Sequence, residues 1–136
     1  MRSLGRTPLR VARVVSATDA ILVVDGQEIL NFGRQAIPQY TARHRINSGA
    51  FGTMGVGLPF GLGAKLARPD KQVIVLHGDG SFGLNAMEID TAVRYGLDYL
   101  AVVGNDAAWN AEYQIQLRAY GAERAHGCEL LPTRYG

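Results

Sequence analysis

The sequence predicts an α/β domain: a parallel sheet flanked by helices on both faces. Two observations predict the class and a third locates the ligand. First, the runs Ala20-Ile21-Leu22-Val23-Val24, Val73-Ile74-Val75-Leu76 and Tyr99-Leu100-Ala101-Val102-Val103 are apolar without alternation and rich in β-branched residues. Strands apolar on both sides are buried on both sides, as parallel strands under helices are. Second, helical patterns lie between the runs, and that alternation implies a parallel sheet covered on both faces. Third, each run ends in Asp, Asn and Gly: Asp25-Gly26, Gly78-Asp79-Gly80 and Gly104-Asn105-Asp106. Ligands of open parallel sheets bind beyond the carboxyl ends of the strands, so a polar ligand is expected there, with glycine holding the backbone clear.

The connecting elements follow in order. The N-terminus holds Arg2, Arg6, Arg10 and Arg13 with no acid before Asp19. An Arg-rich, acid-poor start can be a transit peptide, but Thr7-Pro8 reads as an N-cap with proline at the first helical position. Val11, Val14 and Val15 then share one face, so residues 8–17 are read as a surface helix. Residues 53–67 form a helix rich in glycine and small residues. Its Met54, Val56, Leu58, Phe60 and Leu62 point in too many directions for one wet face, so part of it is expected as exposed apolar surface, covered by a partner domain or subunit. Asn85 and Glu88 look like a capping box; Ala86, Ile89 and Val93 line one face of the helix that follows, and Gly96 closes it.

Composition narrows the function classes. Apolar residues make up 47% and charged residues 19%, which excludes wholesale disorder. Net charge is +2, without a Lys/Arg run interleaved with aromatics, so nucleic acid is not the expected partner. No apolar stretch approaches the roughly 20 residues of a membrane span. The one cysteine, Cys128, leaves no internal disulfide and suits a reducing, cytoplasmic compartment. Glycine stands out, 17 of 136 residues, against a usual share of roughly 7%.

The chemistry concentrates at the strand ends. Two glycines around Asp79 leave backbone N–H groups free for an anion. A lone aspartate repels phosphate, so Asp79 makes sense as the ligand of a bridging cation. Asp106 follows at the end of the expected neighbouring strand, a spacing that one crossover helix fills. Two oxygen donors converging there suit Mg²⁺. Asn105 would bond locally or cap the next helix. His77 reads as a packed or hydrogen-bonded histidine, His44 and His126 as isolated, and Cys128 has no nucleophile pattern around it. Trp109 would wall the pocket or lie in the core.

Gly78-Asp79-Gly80-Ser81, Glu88, Thr91-Ala92 and Asn105-Asp106 together resemble the signature of thiamine-diphosphate-dependent enzymes. Asp106 replaces the second Asn of that motif, keeping an oxygen ligand and adding a charge. Gly52-Thr53-Met54-Gly55-Val56-Gly57-Leu58-Pro59 is similar to the branch with acetolactate synthase, benzaldehyde lyase, oxalyl-CoA decarboxylase and 2-hydroxyacyl-CoA lyase. The resemblance spans about residues 9 to 135 and implies the pyrophosphate-binding domain, partial over 1–136 and incomplete at the C-terminal end, with pyrimidine-binding and central domains absent. It implies thiamine diphosphate and Mg²⁺ as cofactors. Asp79, Asp106 and the Ala108 carbonyl would hold the metal; Gly80 and Ser81 would contact the diphosphate, with Gly26 and Gln27 on its other side. Met54 would force the cofactor's bent shape, and the Gly52 carbonyl would accept from its aminopyrimidine amine.

The implied reaction is attack of the thiazolium ylid on a 2-keto acid or acyl-CoA carbonyl, then decarboxylation or cleavage and ligation. An acetolactate-synthase-like enzyme is the leading reading, with an oxalyl-CoA decarboxylase or 2-hydroxyacyl-CoA lyase type second. The glutamate that protonates the aminopyrimidine would come from the pyrimidine-binding domain of a second subunit in a homo-oligomer. Glu28, Glu88, Glu112, Glu123 and Glu129 all fall inside the pyrophosphate-domain pattern, so the chain alone is expected to be inactive and to be a piece of a larger protein. A different class, a Rossmann-like nucleotide-binding module, requires Gly-x-Gly-x-x-Gly after the first strand; Asp25-Gly26-Gln27-Glu28-Ile29 has no such triplet. An inactive remnant is the third reading.

Overall fold

The computed structural model describes residues 7–135. Four strands form one parallel sheet: β1 (Ile21–Asp25), β2 (Arg45–Ile46), β3 (Val73–Gly78) and β4 (Leu100–Gly104), in the order β2-β1-β3-β4. The three apolar runs are the three longer strands; β1 and β4 are each shifted by one residue toward the polar end, and β3 extends two residues further that way. β2 was not foreseen, because a two-residue edge strand is too short to show a period.

Side chains on β1 and β3 alternate between two cores. Leu22, Val24, Ile74 and Leu76 face α1 (Thr7–Thr18) and α2 (Glu28–Ala36), where they pack with Val15, Ile29 and Ile37. Ile21, Val23, Val73 and Val75 face the other way and pack with Ala64 of α3 (Gly57–Ala67). Every residue of β1 is buried, the reason its sequence is continuously apolar. In α1, Val15 is buried while Val14 is exposed, so the valines do not share one face; adjacent residues diverge by about 100° around a helix. The side chain of Val11 and the Arg2 and Arg6 positions lie outside the described residues.

The 53–67 helix is shorter than the sequence reading. Gly52 (φ 63°) and Gly55 (φ 85°) adopt left-handed backbone, which helix cannot continue through, so α3 starts at Gly57 and Met54 sits in a loop. Its glycines let α3 lie close on the sheet: a Cβ at Gly61 would come within 2.5 Å of Val75. Leu58 and Leu62 are buried, whereas Phe60 and Leu66 are exposed, so the expected apolar surface is present on its outer side.

The α4 helix (Asp79–Leu84) begins at the aspartate itself, and α5 (Glu88–Tyr95) follows. Asn85 does not cap α5. Met87 is the N-cap residue, with no side-chain cap bond, and the Asn85 amide instead donates to the Gly55 carbonyl (2.7 Å). Gly96 closes α5 in left-handed backbone, as read. Ile89 and Val93 are exposed, however, and Ala92 is the buried residue of α5. The helix packs against α3, β4 is an edge strand, and no element among the described residues covers the exposed Ile89 and Val93.

Candidate functional site

One cleft opens at the carboxyl ends of β1, β3 and β4. Gly26 and Gln27 enter it from β1, Asp79, Gly80 and Ser81 from β3, and Asp106 and Ala108 from β4. Met54 lines it from the loop before α3, and Trp109 walls it. Gly52 is the one expected site residue outside the lining; it is exposed, two residues before Met54.

β3 and β4 pair in parallel with Gly78 opposite Gly104. Asp79 and Asp106 therefore leave neighbouring strands on the same edge of the sheet, as their spacing predicted. Asp79 is buried, with 4% of its surface exposed. Partial burial, and then the nearby Asp79 charge, hold the Asp106 carboxyl above its ordinary value. Ala107 stands in left-handed backbone (φ 56°); the Asn105 side-chain carbonyl accepts its N–H (3.1 Å), while the Asn105 amide donates to Thr133 O (2.6 Å). Asn105 thus shapes the loop and does not cap α6 (Asn110–Tyr120). An antiparallel bridge to Glu129 holds Ala108 in place through its neighbours: Trp109 N–H donates to Cys128 O and Leu130 N–H to Ala107 O. The Ala108 carbonyl is left outside that bridge.

Backbone forms the rest of the floor. Gly26 has φ 90°, and a Cβ there would stand 3.0 Å from Ser81 Oγ. At Gly80 a Cβ would meet the Trp109 ring at 2.6 Å, so only glycine lets that ring close over the first turn of α4. The first N–H groups of a helix have no intrahelical partner, which leaves those of Gly80 and Ser81 available. The Ser81 hydroxyl is engaged, donating to Gly78 O (3.0 Å).

The cleft is acidic. Glu28, Asp79, Asp106 and Glu112 line it, and no Lys, Arg or His does among the described residues. Glu28 and Glu112 were not singled out as site residues; their places after β1 and in the first turn of α6 were the available signal. The described residues hold no group of three or more His, Cys, Asp or Glu placed to bind a metal together. A cation here would have two carboxylates, a backbone carbonyl and the ligand's own oxygens. That donor set fits Mg²⁺, which keeps positions for phosphate and water.

The histidines lie elsewhere. His77 is buried, with both ring nitrogens unpartnered and its ring edge-on to Phe82 (5.6 Å). It is packed, not hydrogen-bonded, and burial lowers its pKa to about 4. His44 is not isolated: its Nδ1 is 3.2 Å from Asp19, although outside hydrogen-bond geometry. His126 Nδ1 lies 2.8 Å from Arg124 O.

Residues 29–135 match the family described as thiamine pyrophosphate enzyme, C-terminal TPP binding domain. The chain belongs to this family. The TPP-binding domain is 40% identical over 131 residues to 2-hydroxyacyl-CoA lyase 2 of Homo sapiens, covering 94% of this chain and 20% of that protein. It is 38% identical over 132 residues to an acetolactate synthase large subunit of Mycobacterium tuberculosis, again 94% of this chain and 24% of the relative. A 2-hydroxyacyl-CoA lyase of Arabidopsis thaliana is 38% identical over 104 residues, 74% of the chain and 18% of its own length. The TPP-binding domain thus spans about a fifth of the length of these relatives.

Proposed function

We propose that this TPP-binding domain holds the diphosphate of thiamine diphosphate through Mg²⁺, as part of an enzyme that makes or cleaves a carbon–carbon bond beside a carbonyl. One observation carries the reading: four carboxylates and, among the described residues, no cationic side chain line the cleft. A diphosphate entering it alone would be repelled, at roughly 4 kcal/mol per pair of unit charges 4 Å apart at an effective dielectric constant of 20. A divalent cation held by Asp79, Asp106 and the Ala108 carbonyl reverses that sign. Gly80 and Ser81 then donate backbone N–H groups to the diphosphate, and Gly26 and Gln27 bound its other side. Met54 and the Gly52 carbonyl serve the aminopyrimidine end. When bound, the cofactor supplies the carbanion chemistry, while the protein supplies orientation and electrostatics.

For the complete enzyme, the leading reading is acetolactate-synthase-like: 2-keto acid decarboxylation and carboligation in a homo-oligomer, with the proton-relaying glutamate supplied by the pyrimidine-binding domain of a second subunit. A 2-hydroxyacyl-CoA lyase is the second reading, favoured by the 40% identity over the same stretch. Calorimetric titration of the chain with thiamine diphosphate, with and without Mg²⁺, tests the binding claim: heat should appear with the metal and vanish with chelator. Turnover of pyruvate against a 2-hydroxyacyl-CoA by the chain joined to its pyrimidine-binding partner separates the two enzyme readings. Turnover by the 136-residue chain alone would overturn the division of labour.

A further inference from the structure

The loop that carries Met54 is tied down from two sides by residues outside the cleft lining. On one side stands Asp25, the last residue of β1, with 3% of its surface exposed. One of its oxygens accepts the N–H of Gly26 (2.8 Å) and the other accepts the N–H of Gly57 (2.9 Å), 32 residues away at the start of α3. Gly57 permits that approach, since a Cβ there would stand 2.8 Å from the Asp25 Cβ and 2.4 Å from the His77 ring. On the other side the Asn85 amide, at the end of α4, donates to the Gly55 carbonyl (2.7 Å).

These ties lie where the backbone is softest. Gly52 and Gly55 are both left-handed, and glycine loses more conformational freedom on ordering than any other residue. Met54 sits between them. One carboxylate therefore joins the wall of the cleft at Gly26 to the start of α3, and one amide fixes the loop against α4. We propose that Asp25 and Asn85 are positioning residues: together they set where Met54 stands relative to the diphosphate wall at Gly26 and Gly80. This rests on the cofactor reading above. Asn85 acts on the Met54 end alone, whereas Asp25 acts on both ends because Gly26 shares its carboxylate.

The test uses two ligands and the chain's sole tryptophan. Mg²⁺ with inorganic pyrophosphate engages only the diphosphate wall; Mg²⁺ with thiamine diphosphate engages the wall and the Met54 loop. Trp109, in contact with Gly80, reports both by fluorescence titration. Asn85→Asp keeps the shape, loses the donor and sets a carboxylate against the Gly55 carbonyl. It should weaken thiamine diphosphate about fivefold, the loss of one hydrogen bond, and leave pyrophosphate within about twofold. Asn85→Ser, which keeps a donor, should recover part of that loss. Asp25→Asn should weaken both ligands and raise amide exchange at Gly57 without any ligand; if it fails to fold, the exposed Asn85 site carries the test. Equal loss of both ligands by Asn85→Asp would mark a merely structural role and overturn the proposal, as would unchanged binding of both. Wild-type chain that binds neither ligand would overturn the cofactor reading and this inference with it. Wild-type binding without discrimination by the variants overturns the inference alone.

Discussion

Two neighbouring strands, β1 and β3, lead into aspartates that look alike in sequence and are held differently. Asp25 is the last residue of β1, and Asp79 follows β3 as the first residue of α4. Asp25 and Asp79 are both nearly fully buried. Both oxygens of Asp25 are taken by backbone N–H groups, one from a helix start 32 residues on. Asp79 has no hydrogen-bond donor among the described residues and lines the cleft opposite Asp106. A buried carboxylate is tolerated only with partners. The aspartate of β1 finds its partners in the fold, whereas the aspartate after β3 has no donor among the described residues and faces the cleft. The first aspartate therefore ties backbone segments together, while the second is left facing the cleft as a candidate ligand, two residues beyond the register partner of Asp25.

The largest expected effect separates them directly. Asp79→Ala should lower Mg²⁺-dependent thiamine diphosphate affinity by about a hundredfold, the cost of truncating one partner of a buried charge pair, and leave the metal-free chain folded. Asp25→Ala should instead cost about 3 kcal/mol of folding stability, because two buried N–H groups lose their acceptor. Equal losses of denaturant midpoint for the two variants would break the comparison. Between the two ends lies His77, register partner of Asp25. Its folded pKa, about 4, lies below the ordinary 6.5. The unfolded chain thus binds more protons between those values, and stability falls as pH drops from 6.5 toward 4, by about 3 kcal/mol for this group. Urea midpoints across that window should show the acid limb, and His77→Leu should flatten it. Gly80→Ala drives a methyl into Trp109 and should cost about 2 kcal/mol, read by thermal unfolding with Trp109 fluorescence. The smallest effect is Asp106→Asn. It keeps an oxygen ligand and removes repulsion toward Asp79, so cofactor affinity should stay within about threefold and metal-free stability should rise by less than about 1 kcal/mol.

The strands and the edge that bears the site were legible because burial on both faces writes a continuous apolar run, and because the Asp79–Asp106 spacing spans one crossover. What was not legible depended on distant partners. Asn85 and Glu88 have capping-box spacing, yet the Asn85 amide is drawn to Gly55, 30 residues upstream in sequence. Ile89 and Val93 share one face at helical spacing, but spacing alone does not say what that face meets, and it is exposed. The role of Asp25 needed Gly57, which no local pattern ties to it. The helix start at 57 instead of 53 follows from left-handed glycines, whose sign of φ the residue type permits but does not dictate.

The central claim is that Asp79 and Asp106 hold a cation which carries a diphosphate into a cleft of carboxylates. The most direct measurement is ³¹P relaxation of thiamine diphosphate with the chain and Mn²⁺ in place of Mg²⁺. With wild-type chain, both phosphorus signals should broaden beyond the effect of Mn²⁺ in free solution, and Asp79→Ala should abolish the excess. Equal excess broadening in Asp79→Ala, or tight diphosphate binding by the wild-type chain in chelator, would contradict it.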